Sequence, residues 1–268
     1  MISVESELIA HGVRPRKKLG QHFLIDRNVM EKLVEVADLG FSDTVLEIGA
    51  GTGSLTSMIE KQAGRVVAVE KDPALTNLLS RKFAKSKNVK IIEGDILKIQ
   101  LPKFDKVVSS PPYNISSKLV LLLLKKSFER LVLVLQKEFA ERLVAQSGSR
   151  NYGRLTVMVS HKAHVRLIDI VPRHAFYPTP KVDSAIVKLR PKESRIRVFD
   201  EQLFCDLVRE LFTQRRRRLQ KVIVRLLRRY GDKSSMLLPR LSIPEKRVYQ
   251  TNVEEFETLA NELYDALR

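Results

Sequence analysis

The stretch V-L-E-I-G-A-G-T-G at residues 45–53 indicates the fold of the chain. A short run with strand propensity is followed by three glycines at alternate positions, and residues 54–62 then have a helical pattern. Glycine permits positive φ values and lets backbone N–H groups approach a ligand closely. The start of the following helix adds N–H groups that can face negative charge. Alone, the pattern fits either a ligand-binding turn or a structural turn.

Short β-rich runs alternate with helical patterns on both sides of this turn. Strands are predicted at 45–48, 66–69, 89–92, 106–108 and 131–135, and helices at 54–62, 73–84, 116–127 and 137–146. This alternation predicts a mostly parallel sheet that is covered on both faces. Two more strands, at 165–170 and 185–189, have no long helix between them and predict an antiparallel end. The predicted class is α/β, with a Rossmann-like sheet of seven strands.

A polar, proline-containing segment at 190–199 separates this region from a second one. Beyond it, Leu203, Leu207 and Leu211 recur at a spacing of four, which is typical of a helix face. The sequence therefore predicts an α/β domain at 1–193 and a smaller all-helical domain at 194–268.

The charge of the chain predicts a polyanionic partner. Forty-eight Lys and Arg residues face 31 Asp and Glu residues, a net charge of +17. Adaptation to heat adds Glu together with Lys and would not leave this imbalance, so nucleic acid is favoured. Cys205 is the only cysteine, and no apolar run approaches the ~18 residues of a membrane span. We therefore expect a cytoplasmic location and no membrane partner.

Two acidic residues follow the second and third predicted strands. Glu70 could accept hydrogen bonds from the hydroxyls of an adenosyl ribose, and Asp95 from an adenine amino group. Each could equally be a helix N-cap or a solvated turn residue, but both would lie at one edge of a parallel sheet. Ser54 occupies the position at which a pyrophosphate-binding loop, G-x-G-x-x-G, would have its third glycine. S-adenosyl-L-methionine, which needs no phosphate cradle, is therefore favoured over a dinucleotide.

Several motifs together resemble a known family. E-I-G-A-G-T-G with S-P-P-Y at 110–113 resembles the class I amino-methyltransferases. A wider set resembles the KsgA-type ribosomal RNA adenine dimethyltransferases over nearly the entire chain. Its members are K-K-L-G-Q-H-F-L-I-D (17–26), P-Y-N-I-S-S (112–117), L-Q-K-E-F-A-E-R-L (135–143), Y-G-R-L (152–155), F-Y-P-T-P-K-V-D-S-A (176–185) and F-T-Q-R-R-R (212–217).

The resemblance implies a function. It implies an S-adenosyl-L-methionine-dependent enzyme that dimethylates two adjacent adenines near the 3′ end of small-subunit ribosomal RNA. It also implies a monomer that acts on a pre-ribosomal particle during ribosome biogenesis. Two alternatives remain open: a large-subunit RNA methyltransferase of the antibiotic-resistance type, and a non-catalytic ribosome assembly factor.

The S-P-P-Y residues suit methylation of an adenine amine, which is a poor nucleophile. The Pro111 carbonyl and the Ser110 hydroxyl could accept its two hydrogens, and Tyr113 could stack on the base. No metal is required. The family usually has Asn at the position of Ser110 and Leu or Ile at that of Pro111, which leaves the efficiency of the second transfer open. A plain strand terminator is the alternative.

The resemblance also assigns further cofactor and substrate contacts. It places Gln21, His22 and Leu24 at the methionine end of the cofactor, together with Gly49, Gly51, Glu70, Asp95 and Ser110 around the rest. It makes Phe176 the candidate for the opposite face of the target adenine. The alternatives are a hydrophobic anchor at Phe23 and Leu24 with Asp26 as a helix N-cap, and a rigid connector at 176–180.

A basic segment lies in the helical region. Nine Lys or Arg residues and one acid, Glu210, occur between 209 and 229. Spacings of three and four would place several of them on one helix face. A solvated face is the usual explanation of such a run, but the balancing acids are missing here. We expect Arg215, Arg216, Arg217, Arg218 and Lys221 to contact RNA phosphates.

Overall fold

The computed structural model describes residues 4–10, 12–193, 196–228 and 237–268. The chain forms two compact units, residues 1–140 with 165–191 and residues 141–164 with 192–268. The expected boundary at 193 lies close to the second division, but residues 141–164 do not belong with the α/β region. Tyr152 and Val157 are buried among the apolar side chains of the C-terminal helices, which explains the difference.

The first unit contains the predicted seven-stranded sheet. The nine strands of the described chain are β1 (Phe23–Leu24), β2 (Thr44–Ile48), β3 (Arg65–Glu70), β4 (Val89–Glu93), β5 (Lys106–Ser109), β6 (Arg130–Gln136), β7 (Ala163–Val171), β8 (Phe176–Tyr177) and β9 (Ser184–Pro191). The sheet order is β4-β3-β2-β5-β6-β9-β7. Strands β2 to β6 pair in parallel, and β9 runs antiparallel to β6. The predicted mostly parallel architecture is confirmed.

Helices alternate with the strands of this unit. They are α1 (Val4–Ala10), α2 (Arg27–Ala37), α3 (Ser54–Ile59), α4 (Pro73–Lys82), α5 (Ser116–Leu123) and α6 (Lys137–Leu143), whose last residues belong to the second unit. Asp26 caps α2, because its carboxylate accepts hydrogen bonds from the N–H groups of Asn28 and Val29. Asp72 caps α4 through the Ala74 N–H. The N-cap at Asp26, which the sequence offered as an alternative role for this segment, is therefore present.

The strand register brings the predicted ligand residues to one edge. Ile48 is opposite Val69, and Glu70 is opposite Glu93, so β2, β3 and β4 end at about the same level. A second, two-stranded sheet forms where β1 pairs antiparallel with β8. This pairing holds the segment that contains Gln21 and His22 beside residues 176–177. Both arrangements place separate parts of the sequence around the glycine turn.

The second unit is helical. Its elements are α7 (Arg154–Lys162), α8 (Glu201–Phe212), α9 (Leu219–Leu227) and α10 (Val253–Leu267). Phe204 on α8 and Phe256 on α10 are fully buried in its core. The buried His161 imidazole lies 2.7 Å from the Glu257 carboxylate, a hydrogen bond that joins α7 to α10. Among the described residues, no helix has both the length and the apolar character that crossing a membrane requires.

Candidate active site

The glycine turn packs tightly against two other parts of the site. Gly49, Gly51 and Gly53 have φ values of +73°, +60° and +78°, a region that favours glycine. A Cβ on Gly49 would lie 3.1 Å from Pro112 Cδ, and one on Gly51 would lie 2.9 Å from the Phe23 ring. The alternating glycines therefore permit both the backbone conformation and the close approach of the loop to its neighbours.

Glu70 is the most firmly held acidic group at this edge. Its side chain is buried, and Oε2 accepts a hydrogen bond from Gly51 N–H at 3.0 Å. Oε1 accepts from the N–H groups of Lys71 and Asp72, at 2.8 and 2.9 Å. Burial raises the pKa of Glu70 above its ordinary value, although these three hydrogen bonds oppose the shift. A carboxylate has about four acceptor sites, so room for about one further donor remains, on Oε2.

Asp95 lies two residues beyond β4 and is held differently. Lys71 Nζ is 3.0 Å from Oδ2, and Leu97 N–H donates to Oδ1 at 3.1 Å. Burial alone would raise the pKa of Asp95, but the Lys71 hydrogen bond and charge, the Leu97 N–H and the charge of Lys98 together lower it. Asp95 is therefore an ionised acceptor at neutral pH.

Most of the predicted cofactor residues line one cleft. Its walls include Gln21, His22, Gly49, Gly51, Glu70, Asp95 and Ser110. Leu24 lies instead on a smaller neighbouring cavity, which His22 and Ser110 also line. The structure thus brings together seven of these eight residues and places the eighth next to them.

The N-terminal part of the cleft is fixed by polar contacts. Gln21 Nε2 donates to Asp72 Oδ2 at 3.1 Å, and its Oε1 accepts from Arg16 N–H at 2.7 Å. His22 Nδ1 is 2.6 Å from the Pro178 carbonyl oxygen. This carbonyl can only accept, so Nδ1 carries the hydrogen in that bond.

The two serines of S-S-P-P-Y have different surroundings. The buried Ser109 hydroxyl donates to Ile48 O at 2.6 Å and lies 3.3 Å from Ile48 N–H, so it ties the end of β5 to the end of β2. Ser110 lines both cavities. Pro111 is buried between the two cleft residues Ser110 and Pro112. Only one of the two adjacent serines therefore faces ligand space.

Three rings meet beside the cleft. The Tyr113 hydroxyl is 2.7 Å from the Ser184 hydroxyl, and burial raises the pKa of Tyr113. The His22 and Tyr113 rings are nearly parallel, with centroids 5.7 Å apart and planes at 23°. Phe176 meets Tyr113 edge-on at 6.3 Å and is only 2% exposed. Its ring is packed in the apolar core of the first unit, and Phe176 as the opposite face of the target adenine stays a prediction.

Sequence reasoning missed Glu47. This side chain is 2% exposed, lines the smaller cavity and accepts a 2.6 Å hydrogen bond from the Thr56 hydroxyl. Burial raises its pKa to about 8, and the nearby Glu70 charge contributes. The available signal was an acidic residue in the apolar strand V-L-E-I, two positions before Gly49. Among the described residues, no group of three or more His, Cys, Asp or Glu side chains is arranged to hold a metal ion.

Comparison with known proteins agrees with this geometry. The family model for ribosomal RNA adenine dimethylase matches residues 12–264. A relative from Thermococcus gammatolerans, named probable ribosomal RNA small subunit methyltransferase A, is 44% identical, with 93% of this chain and 90% of that protein covered. A Methanosarcina acetivorans relative of the same name is 41% identical, with 91% and 92% covered. The chain belongs to the ribosomal RNA adenine dimethylase family.

Solved structures show that this dimethylase has the class I methyltransferase fold. A dimethyladenosine transferase from Plasmodium falciparum superposes with a TM-score of 0.83 at 32% identity, covering 91% of this chain and 98% of that one. The 23S rRNA methyltransferase ErmE superposes with a TM-score of 0.68 at 29% identity, covering 90% and 99%. The resemblance inferred from the sequence motifs is confirmed.

The basic segment of the dimethylase is a turn rather than a continuous helix face. Residues 213–218 connect α8 to α9, and α9 begins at Leu219. The turn pairs with residues 246–249: Tyr249 N–H donates to Arg215 O, and Val248 N–H donates to Arg217 O, each at 3.1 Å. The positions of the four arginines are therefore set by backbone pairing with residues 246–249 and not by their spacing along a helix.

Arg215 differs from the three arginines that follow it. Its Nη1 donates to Arg150 O at 3.2 Å, and its Nη2 donates to Ser149 O at 3.3 Å. Its guanidinium carbon lies 5.6 Å from the centre of the Tyr249 ring. Arg215 is half-buried, whereas the predicted RNA contacts Arg216, Arg217, Arg218 and Lys221 are exposed. Arg229, the end of the basic run, lies outside the described residues.

Proposed function

We propose that this dimethylase transfers methyl groups from S-adenosyl-L-methionine to the exocyclic amines of two adjacent adenines near the 3′ end of small-subunit ribosomal RNA. The observation that carries the proposal is the convergence of Glu70, Asp95 and Ser110 on one cleft. These residues come from the ends of three strands, with the glycine turn between them. The relatives at 40–44% identity, which are named small subunit methyltransferases, support the choice of RNA.

The cleft residues fit the adenosyl part of the cofactor. The remaining acceptor site of Glu70 suits one ribose hydroxyl, which is fewer than the two hydroxyls expected from the sequence. Asp95 Oδ2 suits an adenine amino group, since the carboxylate is ionised and half-buried. The close-packed glycines leave no side chain between the loop and the cleft. Bound S-adenosyl-L-methionine would supply an electrophilic methyl group.

Ser110 and Pro111 prepare the adenine amine for attack. The Ser110 hydroxyl and the Pro111 carbonyl accept the two amine hydrogens, which draws the nitrogen towards a pyramidal geometry and frees its lone pair. Tyr113 stacks on the base, and its ring is fixed by Ser184. The rate then comes mainly from positioning. After one transfer a single hydrogen remains on the amine, so only one of the two acceptors is needed in the second round.

The helical unit binds the RNA. Arg216, Arg217, Arg218 and Lys221 are exposed and can contact phosphates. We assign catalysis to the α/β unit and RNA binding to the helical unit, acting in a monomer on a pre-ribosomal particle in the cytoplasm. Structured RNA would be held by its phosphates and shape while an unpaired adenine enters the pocket.

A transfer assay with tritium-labelled cofactor tests the proposal. We expect label in the RNA of undermethylated small subunits, and primer extension should stop at two adjacent adenines near the 3′ end. Label in large-subunit RNA instead would favour the alternative suggested by the likeness to ErmE. Binding of small subunits without any transfer would favour an assembly factor. Either result would overturn the proposal.

A further inference from the structure

Among the described residues, the most exposed large apolar side chain is Phe41, at the end of the sheet opposite to the cleft. It is 81% exposed and lies in the connection between α2 and β2. Asp43 N–H donates to Gly40 O at 2.9 Å, and Gly40 N–H donates to Asp43 Oδ2 at 2.6 Å, so these residues form a tight turn. Lys106 Nζ, on β5, binds the same carboxylate oxygen at 2.7 Å. The ring of Phe41 is therefore carried by a turn of fixed conformation.

Two other connections meet this turn at the amino ends of β2, β3 and β4. The Phe41 carbonyl oxygen lies against Gly64, where an added Cβ would be only 2.0 Å from it. Arg65 N–H donates to the carbonyl oxygen of the last residue of the turn at 3.0 Å. Asn88 Nδ2 donates to two carbonyl oxygens of the chain before Gly64, each at 3.0 Å. Three turns therefore lie side by side, at 40–43, 60–65 and 84–88.

These turns carry an excess of positive charge. Four of their side chains are exposed cations that form no ion pair with the described residues: Lys61, Arg65, Lys85 and Lys87. The three turns contain two acids, and one of them, Asp43, is bound to Lys106. Single apolar residues are common on protein surfaces, but Phe41 shares its surface with these four cations. We call Phe41 and the four cations the basic surface.

We infer that the basic surface is a second binding site for ribosomal RNA, at which an unpaired base stacks on Phe41 and adjacent phosphates contact the cations. The inference rests on the proposed function for the identity of the RNA. Aromatic rings beside cations suit single-stranded nucleic acid, because every base has a π face and every linkage a negative charge. The α/β unit would then bind RNA in addition to the helical unit.

The distance from the cleft gives this surface a role in binding and not in chemistry. Strand β2 has five residues, and it separates the turn at 40–43 from the glycine turn. At about 3.3 Å per residue, the two turns are roughly 15 Å apart. A base on Phe41 is therefore a different nucleotide from the adenine that is methylated.

Two variants at position 41 separate base stacking from apolar contact. Phe41→Leu keeps an apolar side chain and loses the ring, whereas Phe41→Tyr keeps the ring. We expect Phe41→Leu to raise the dissociation constant for undermethylated small subunits about 5-fold or more, the smallest effect typical of losing one base–aromatic stack. Phe41→Tyr should stay within about 2-fold of the wild type. Cofactor affinity should be unchanged in both, and small-subunit affinity of Phe41→Leu equal to that of the wild type would overturn the inference.

Paired charge variants test the phosphate contacts. The double variant Lys85→Gln/Lys87→Gln removes two cations of the basic surface. Its matched control, Lys125→Gln/Lys126→Gln, removes two exposed cations before β6, which lies four strands from β4 in the sheet. The slope of log affinity against log salt should become shallower by about 1.4–1.8 in the first variant and by less than half as much in the control. Equal changes would mean that only the total charge matters, which would contradict a local site.

A photo-cross-linking amino acid at position 41 identifies the partner directly. With p-azidophenylalanine at this position, irradiation of the complex with small subunits should link the protein to one unpaired RNA segment, which primer extension would map. A link to a ribosomal protein, or no link above the level without irradiation, would overturn the inference. Absence of methyl transfer by the wild type would instead contradict the proposed function, and the cross-link would still decide whether the basic surface binds RNA.

Discussion

The cofactor edge of the sheet and the basic turn of the helical unit are organised in different ways. At the sheet edge, each polar residue lies at the end of a strand or just beyond it, and the parallel register brings Glu70, Asp95 and Ser110 together. In the basic turn, four consecutive arginines each carry a positive charge, but their surroundings differ. Arg215 is bound to backbone carbonyl groups, whereas Arg216, Arg217 and Arg218 are exposed. The sequence therefore predicts the contacts of a polar residue at the end of a strand, where the strand fixes the position of the side chain. It does not predict them for arginines in a turn.

Glu70→Ala should have the largest effect at the sheet edge. It removes a buried acceptor of three N–H groups together with the proposed ribose contact. Hydrogen bonds to charged groups contribute about 1.5–3 kcal/mol each, so we expect the dissociation constant of S-adenosyl-L-methionine to rise about 100-fold or more in calorimetry. Asp95→Asn is the matched variant at a less buried site and should cost about 10-fold. Equal, small effects in both would contradict the assignment.

The adjacent serines provide the next comparison. Ser110→Ala should lower the methyl-transfer rate roughly 10- to 100-fold and leave thermal stability unchanged, since Ser110 lines the cleft. Ser109→Ala should destabilise the fold by about 1 kcal/mol, because its hydroxyl bonds to the Ile48 backbone. Single-turnover rates and thermal melting measure the two outcomes. A Ser110→Ala enzyme that transfers both methyl groups at the wild-type rate would remove Ser110 from the mechanism.

Substitutions that keep the charge separate the arginines of the basic turn. Arg215→Lys loses the bonds to Ser149 and Arg150 but not the positive charge, so we expect RNA affinity to fall about 10-fold. Arg217→Lys should stay within about 3-fold, because a lysine can still neutralise a phosphate.

RNA binding measured at several salt concentrations also separates the role of Arg215 from that of Arg217. The salt dependence should be unchanged in Arg217→Lys and weaker in Arg215→Lys, in which the neighbouring arginines are no longer held in position. Identical behaviour of the two variants would mean that Arg215 is a phosphate contact like the others.

Glu47 gives the smallest expected effect, and it depends on pH. The pKa is raised from 4.5 to about 8 in the folded protein, so the folded state retains a proton that the unfolded state has lost. The stability this provides is fully present below pH 4.5 and is lost as the pH rises towards 8. Glu47→Gln should therefore become more stable relative to the wild type between pH 7 and 8, by at most about 1.4 kcal/mol. Denaturant unfolding at both pH values measures this; a constant difference would mean that Glu47 does not titrate in this range.

The sequence predicted the strands of the sheet well because the apolar patterns that mark them are local properties. Runs such as V-V-A-V and L-V-L-V-L are buried on both faces, and their order along the chain matches the βα alternation. The residues at the strand ends follow directly from this pattern. Asp26 could be recognised as an N-cap for the same reason.

Packing partners could not be predicted in this way. Residues 141–164 continue the α/β pattern in sequence, yet Tyr152 and Val157 pack with the C-terminal helices. An aromatic residue at 176 could be placed near Tyr113, but whether its face or its edge is open depends on the pairing of β1 with β8. Likewise, the partners of Arg215 are backbone oxygens about 65 positions away.

A crystal structure with S-adenosylhomocysteine and adenosine would test the central claim most directly. We predict the cofactor ribose at Glu70, its adenine at Asp95, and the added adenosine against Tyr113 with its amine directed at Ser110. A cofactor bound away from the ends of β2, β3 and β4, or an adenosine whose amine points away from Ser110, would contradict the account.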